Sequence, residues 1–135
     1  MSVVFWQILI DGFAISALYA LGATGLRDCA LENLQRTDAT RKSITSVSGV
    51  SARFSGPTFN EFVVRVPGLA SDALAALQKR RVLGGLDLGR FYPELDDCIL
   101  VTATELTTQH DIAELTEGLR AVVPKLQRKE LAGAR

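Results

Sequence analysis

Hydrophobic and polar residues repeat with different periods along this chain, and each period marks an element. Residues 1–23 are apolar almost throughout, with Asp11 as the single charge, and they predict an apolar helix buried against protein. Gly22 and Gly25 interrupt it. Residues 26–44 predict a second helix that begins apolar (Leu26, Cys29, Ala30, Leu34) and turns polar from Gln35 to Ser43. A helix patterned this way is expected to run along a domain edge and to surface gradually.

The small, glycine-punctuated stretch 46–56 leaves room for a short strand near Ala52-Arg53-Phe54, and Gly56-Pro57 predicts a turn. Residues 61–66 alternate as a strand does, with Phe62, Val64 and Val66 on one face and Glu61, Val63 and Arg65 on the other. Pro67-Gly68 ends it. A helix over 71–81 follows, with Ser71 as N-cap, Asp72 in the first turn, Leu74 and Leu77 as core stripe, and Lys79, Arg80 and Arg81 in the last turn. Residues 98–102, Cys-Ile-Leu-Val-Thr, are apolar almost without alternation, as in a central strand covered on both faces. Thr108 and Asp111 have capping-box spacing. Ile112, Leu115, Leu119, Val122 and Leu126 mark one side of a last helix that Pro124 should end or kink, leaving 128–135 frayed.

Helices first, then short strands with helices between and after them, define an α+β layer: a small mixed or antiparallel sheet with helices on one face, preceded by a long apolar helix. The expected division is a linker helix over 1–23 and one small domain over 24–135. Residues 1–23 are long enough to span a bilayer. No positive segment precedes them as in a signal peptide, and Asp11 would be costly in lipid. The expected location is the cytoplasm.

At 135 residues the chain is one domain's worth. Lys+Arg and Asp+Glu balance at 15 each, so no net field recommends nucleic acid as a partner. Cys29 and Cys98 match no CxxC pattern and are expected to be buried free thiols. There is no GxGxxG, no GxxxxGK and no GxSxG. His110 has no partner histidine and is expected at the surface, with no metal site. Glu94, Asp96 and Asp97 read as a solvated turn beside a proline.

What stands out is residues 82–95, Val-Leu-Gly-Gly-Leu-Asp-Leu-Gly-Arg-Phe-Tyr-Pro-Glu-Leu. A turn alone does not need Arg90, Phe91 and Tyr92 between Gly89 and Pro93. The loop reads either as a cover for its own sheet or as a surface shaped to meet another domain or chain. Gly85, Arg90 and Tyr92 are the candidates for facing a cleft or a partner.

Three segments together carry a resemblance: Gly56 to Val64, the glycine loop with its Asp-Leu-Gly-Arg-Phe-Tyr-Pro, and 98–105 leading into 108–119. With Leu18-Tyr19-Ala20-Leu21-Gly22, they make the chain similar to the C-terminal small-domain region of the glycine cleavage system P-protein, glycine dehydrogenase (decarboxylating), subunit 1. This is a family of the fold-type I superfamily that uses pyridoxal phosphate. The resemblance departs at residues 1–12, and at Leu106 and Thr107, where the family carries a basic pair. The family's preceding large domain is not matched. The resemblance implies a fragment or subunit part of a glycine-catabolic oxidoreductase that contributes a small domain to a site carried by a partner. Pyridoxal phosphate in the assembled enzyme would be held by P-protein subunit 2, and the lipoyl carrier protein of the glycine cleavage system would accept the aminomethyl group. None of the four lysines (Lys42, Lys79, Lys125, Lys129) lies in a strand-to-loop setting suited to a Schiff base. The resemblance thus implies no cofactor, catalytic residue or activity in the isolated chain. The competing reading is a non-catalytic α+β interaction and oligomerisation module whose exposed apolar face is covered by self-association.

Overall fold

The computed structural model describes residues 3–133. Its elements are α1 (Val3–Thr45), β1 (Ser51–Ala52), β2 (Glu61–Arg65), α2 (Ala70–Gln78), β3 (Leu86–Asp87), β4 (Cys98–Thr102) and α3 (Gln109–Gly133). Two 3₁₀ turns, Leu88–Arg90 and Pro93–Leu95, join β3 to β4. The strands pair in the order β1-β2-β4-β3, antiparallel at every step. Phe62, Val64, Ile99 and Val101 share one face. On it sit Ile44 from α1, Ala73 and Leu77 from α2, and Leu119, Val122, Val123 and Leu126 from α3. This is the expected α+β layer with its helices on one side of a small sheet.

Leu77 organises the helix layer. It is fully buried, and its two methyl groups occupy the space that side chains at Gly84 and Gly118 would fill. A Cβ would lie 2.5 Å from Leu77 Cδ1 at Gly84 and 2.8 Å from Leu77 Cδ2 at Gly118. A glycine inside a helix costs about 1 kcal/mol relative to alanine, and here the close approach of α2 to α3 offsets it.

The helical pattern differs from expectation in four places. The first concerns α1, whose helical backbone is broken at Gly22 (φ 63°, ψ −178°) as expected, but whose burial runs the other way. Its described apolar side chains at the beginning are exposed and its polar end is buried, the reverse of an edge helix that surfaces gradually. Ile10 is 63% and Phe13 78% exposed, whereas Thr37 and Thr40 are 1% and 2% exposed. At these described positions the first helix is not buried within this chain, because its layer of helix and sheet begins only near Asn33. The polar end can be buried because each hydroxyl finds an acceptor. Thr37 donates to Ala103 O at 3.2 Å and Thr40 to Arg36 O at 2.7 Å. Thr116 spends its hydrogen on Ile112 O, so the 2.8 Å contact between Ser43 Oγ and Thr116 Oγ1 has Ser43 as donor. Among the described residues no helix is long and apolar enough to cross a membrane.

Second, α2 begins at Ala70 with Leu69 as N-cap, and no side chain caps it, so Ser71 does not act as expected. It also stops at Gln78, leaving Lys79, Arg80 and Arg81 beyond its end. Arg81 has φ 65°; its N–H donates to Gln78 O at 2.8 Å, and the next N–H, of Val82, donates to Leu77 O at 3.1 Å. This is a Schellman ending with arginine where glycine is usual. Third, α3 runs through Pro124 to Gly133. The buried Val122, Val123 and Leu126 on either side hold the helix across the missing hydrogen bond. Its start is as expected: Thr108 N–H donates to Asp111 Oδ2 at 2.8 Å, and Asp111 N–H to Thr108 Oγ1 at 3.2 Å. The Thr108 hydroxyl also donates to Asp111 Oδ2, at 2.6 Å, and this bond, with the one from the Thr108 amide, holds the Asp111 carboxyl below its ordinary range.

Fourth, Cys29 is exposed; only Cys98 is buried. Burial pushes the Cys98 thiol up to about 11, and the hydrogen bond it donates to Asp97 Oδ1 at 3.0 Å adds to the shift. Its folded value lies above the ordinary 9.0, so its contribution to stability is intact below pH 9 and lost as pH rises towards 11.

Two measurements follow. Replacing Arg81 by glycine should stabilise the fold by about 0.5–1 kcal/mol in urea unfolding, since glycine takes a left-handed backbone without the Cβ penalty. At pH 8 an aromatic disulfide reagent should titrate one thiol, Cys29, in the folded chain and both thiols in denaturant.

Candidate interaction surface

The glycine loop is held together by its own chain. Gly85 has φ 131°, and a Cβ on it would lie 2.2 Å from Leu100 O, so only glycine lets β3 pair with β4. Asp87 Oδ1 accepts from Gly89 N–H at 3.0 Å and starts the first 3₁₀ turn. Phe91 and Tyr92 N–H both donate to Leu88 O, at 3.0 and 2.9 Å. Leu88 is buried, whereas Arg90, Phe91 and Tyr92 all point to solvent. The structure thus separates the three candidate residues. The bare side of Gly85 meets the sheet, while Arg90 and Tyr92 stand together at the tip of a fixed loop.

The face of the sheet opposite the helices carries a second feature. The register aligns Val63 with Leu100 and Leu100 with Leu86, so three apolar side chains form a row across three strands. Arg65 and Cys98 flank the row on one side, Glu61 and Thr102 on the other. Asp97, expected in a solvated turn, pairs with Arg65 Nε through Oδ2 at 2.6 Å and accepts the Cys98 thiol hydrogen bond. A half-buried apolar row with a polar rim has the composition of a contact surface. Sequence periodicity already put Val63 on this face; the place of Leu86, inside the glycine stretch, depended on the strand register.

A cleft of about 500 Å³ opens elsewhere, between the end of β4, the start of α3 and the turn after α2. Arg81, His110, Asp111 and Glu114 line it with four threonines, and Leu83 and Leu106 stand exposed at its rim. His110 is exposed as expected, and no group of three or more metal-ligating residues occurs among the described residues. Neither Arg90 nor Tyr92 lines this cleft, so the loop tip and the cleft are separate features. All four lysines are exposed. Lys42 is paired with Asp38 at 2.5 Å and Lys129 with Asp72 at 2.7 Å. A Schiff-base lysine is held in a water-excluded pocket, and none of these is, so the residues of this chain do not fit pyridoxal phosphate.

The same arrangement occurs in a solved enzyme. The crystal structure of a glycine decarboxylase (P-protein) of the glycine cleavage system, in inhibitor-bound form, matches with a TM-score of 0.70 and 33% identity, over 78% of this chain and 24% of that one. The chain therefore has the fold of a P-protein segment. Among sequences, the probable glycine dehydrogenase (decarboxylating) subunit 1 of Nitrosospira multiformis is 41% identical over 106 residues, 78% of this chain and 24% of the relative. That of Anoxybacillus flavithermus is 38% identical over 103 residues, 76% and 23%. That of Solibacter usitatus is 41% identical over 116 residues, 85% and 24%. No protein-family model matches. The chain is a homologue of glycine dehydrogenase (decarboxylating) subunit 1, and it spans about a quarter of the length of the curated relatives it matches. The resemblance read from the glycine loop is thus supported in sequence and in fold.

Gly85→Ala should destabilise the chain by about 2–4 kcal/mol in urea unfolding, because the new methyl group meets a strand carbonyl that cannot move without breaking the β3–β4 pair.

Proposed function

We propose that this chain supplies the small domain of a glycine-decarboxylating P-protein, closing a pyridoxal phosphate site that a partner polypeptide carries in the cytoplasm. The partner would be the cofactor-bearing subunit 2, and the lipoyl carrier protein would receive the aminomethyl group from the assembled enzyme. The observation that carries the reading is the uncovered side of the domain. Every helix packs on one face of the sheet, while the row Val63–Leu100–Leu86 and the loop tip at Arg90 and Tyr92 stay open, in a chain that spans about a quarter of the length of its relatives. In this role the chain's own residues do no covalent chemistry. The rigid loop presents Arg90, whose guanidinium can hold a carboxylate by two parallel hydrogen bonds, and Tyr92, which offers an aromatic wall with a hydroxyl. The apolar row excludes water where the sheet meets its partner. Pyridoxal phosphate, when bound by the partner, supplies the electron sink for decarboxylation.

Co-expression of the chain with a P-protein subunit 2 tests this. The two should co-purify, and glycine–bicarbonate exchange should need both together with the lipoyl carrier. Arg90→Ala and Tyr92→Ala should each lower exchange about tenfold or more and leave the melting temperature of the free chain unchanged, since both side chains are exposed. A chain that does not co-purify, or one that turns yellow with an aldimine of its own, overturns the proposal.

A further inference from the structure

Charge is spread unevenly along a chain whose Lys+Arg and Asp+Glu totals are equal. Residues 39–60 carry Arg41, Lys42 and Arg53 and no acid, whereas the acids crowd into residues 87–117, where Arg90 is the only Lys or Arg. The fold gathers the first stretch around a hollow of about 490 Å³. Arg41, Lys42 and Thr45 of α1 contribute to its lining, and Ser51, Ala52 and Phe54 join them from β1 and the residues after it. No Asp or Glu lines it. Lys42 is paired with Asp38, but Arg41 and Arg53 make no ion pair among the described residues. Arg53 lies instead over the exposed Phe54 ring, 5.3 Å from its centre.

β1 is an edge of the sheet. Arg53 N–H donates to Val63 O at 2.9 Å, so these two residues form a hydrogen-bonded pair of the antiparallel ladder. Ala52, opposite Val64, belongs to the alternate kind of pair, whose N–H and C=O point away from the neighbouring strand. Ala52 is exposed and lines the hollow, so an open donor and an open acceptor stand beside positive charge that nothing neutralises. We propose that this edge is a docking site for an extended acidic segment of a partner protein, which adds a strand beside β1. Ala52 N–H and C=O hold the segment's backbone, and the Arg41 guanidinium holds one of its carboxylates. Charge selects the occupant. A second copy pairing β1 against β1 would bring its own Arg53 and Arg41 to the same edge, and like charges there discourage an identical strand. The inference goes beyond the small-domain reading and does not depend on it.

The test uses the full chain and a fluorescein-labelled heptapeptide of alternating glutamate and threonine, with fluorescence anisotropy as the readout. The peptide should bind, with an affinity that falls as salt rises. The same peptide with lysine in place of glutamate should bind about tenfold more weakly or not at all. Arg41→Gln keeps helix propensity and should weaken binding about tenfold, through the loss of one charge-assisted pair. Ala52→Pro removes only the outward N–H, which takes no part in the β1–β2 ladder, and should weaken binding about fivefold. Should Ala52→Pro fail to fold, the peptide N-methylated at every threonine, or at every glutamate, decides in its place, because one of the two lacks the N–H that Ala52 O accepts. Equal binding of the acidic and basic peptides, or of neither, overturns the proposal. Undiminished binding by Arg41→Gln overturns the site. Weakening by Arg41→Gln alone, with Ala52→Pro and both N-methylated peptides unchanged, overturns strand addition. A single-stranded heptanucleotide that displaces the peptide at equal or lower concentration overturns the choice of a protein partner.

Discussion

One contact sets the spacing of the whole helix layer: Leu77 seated between Gly84 and Gly118. With a methyl group at either glycine, α2 would have to move away from α3 or from the start of the loop that leads to β3. That loop places Gly85 against Leu100 and so fixes the register of the edge strand. The register in turn puts Leu86 beside Leu100 and Val63. The position of the open apolar row, and of the loop tip that follows it, therefore depends on how closely two helices pack on the opposite side of the sheet. Interiors at this density transmit such constraints because they have no slack to absorb them.

The two faces of the sheet are built on different principles. The helix-covered face is a hydrocarbon core with a polar seam along α1, where Thr37, Thr40, Ser43 and Thr116 satisfy one another or nearby carbonyls. The open face mixes an apolar row with the Arg65–Asp97 ion pair and the Cys98 thiol. The first face holds the chain together; the second is suited to meeting a partner. A small domain that must both fold and leave one side free gains from keeping those two tasks on opposite sides of one sheet.

Much of the architecture was readable from residue pattern. The alternation of 61–66, the Thr108–Asp111 box and the stripe from Ile112 to Leu126 each appear as the element they suggest, and the apolar run 98–102 is the interior strand expected, though helices cover only one of its faces. The glycine loop was singled out by its density of glycines and aromatics, and it carried the family resemblance that the comparisons support. The failures share a cause. Thr37 and Thr40 look like surface residues until Ala103 O and Arg36 O are near enough to accept from them. Pro124 looks like a helix end until buried valines on either side hold the helix through it. Ser71 looks like a cap, yet the N-cap of α2 is Leu69, two residues earlier, with Ala70 N–H bonded to Asp96 O at 2.7 Å.

Sequence by itself determined the periodic elements, the class of the fold and the kinship with P-protein subunit 1, because local periodicity and short motifs are written in neighbouring residues. Tertiary structure alone decided which half of α1 is buried, which side of Gly85 is filled, and that Val63, Leu100 and Leu86 stand in one row. These depend on atoms distant in the chain that come within hydrogen-bonding or van der Waals reach only once the sheet has closed, and no local pattern encodes that distance.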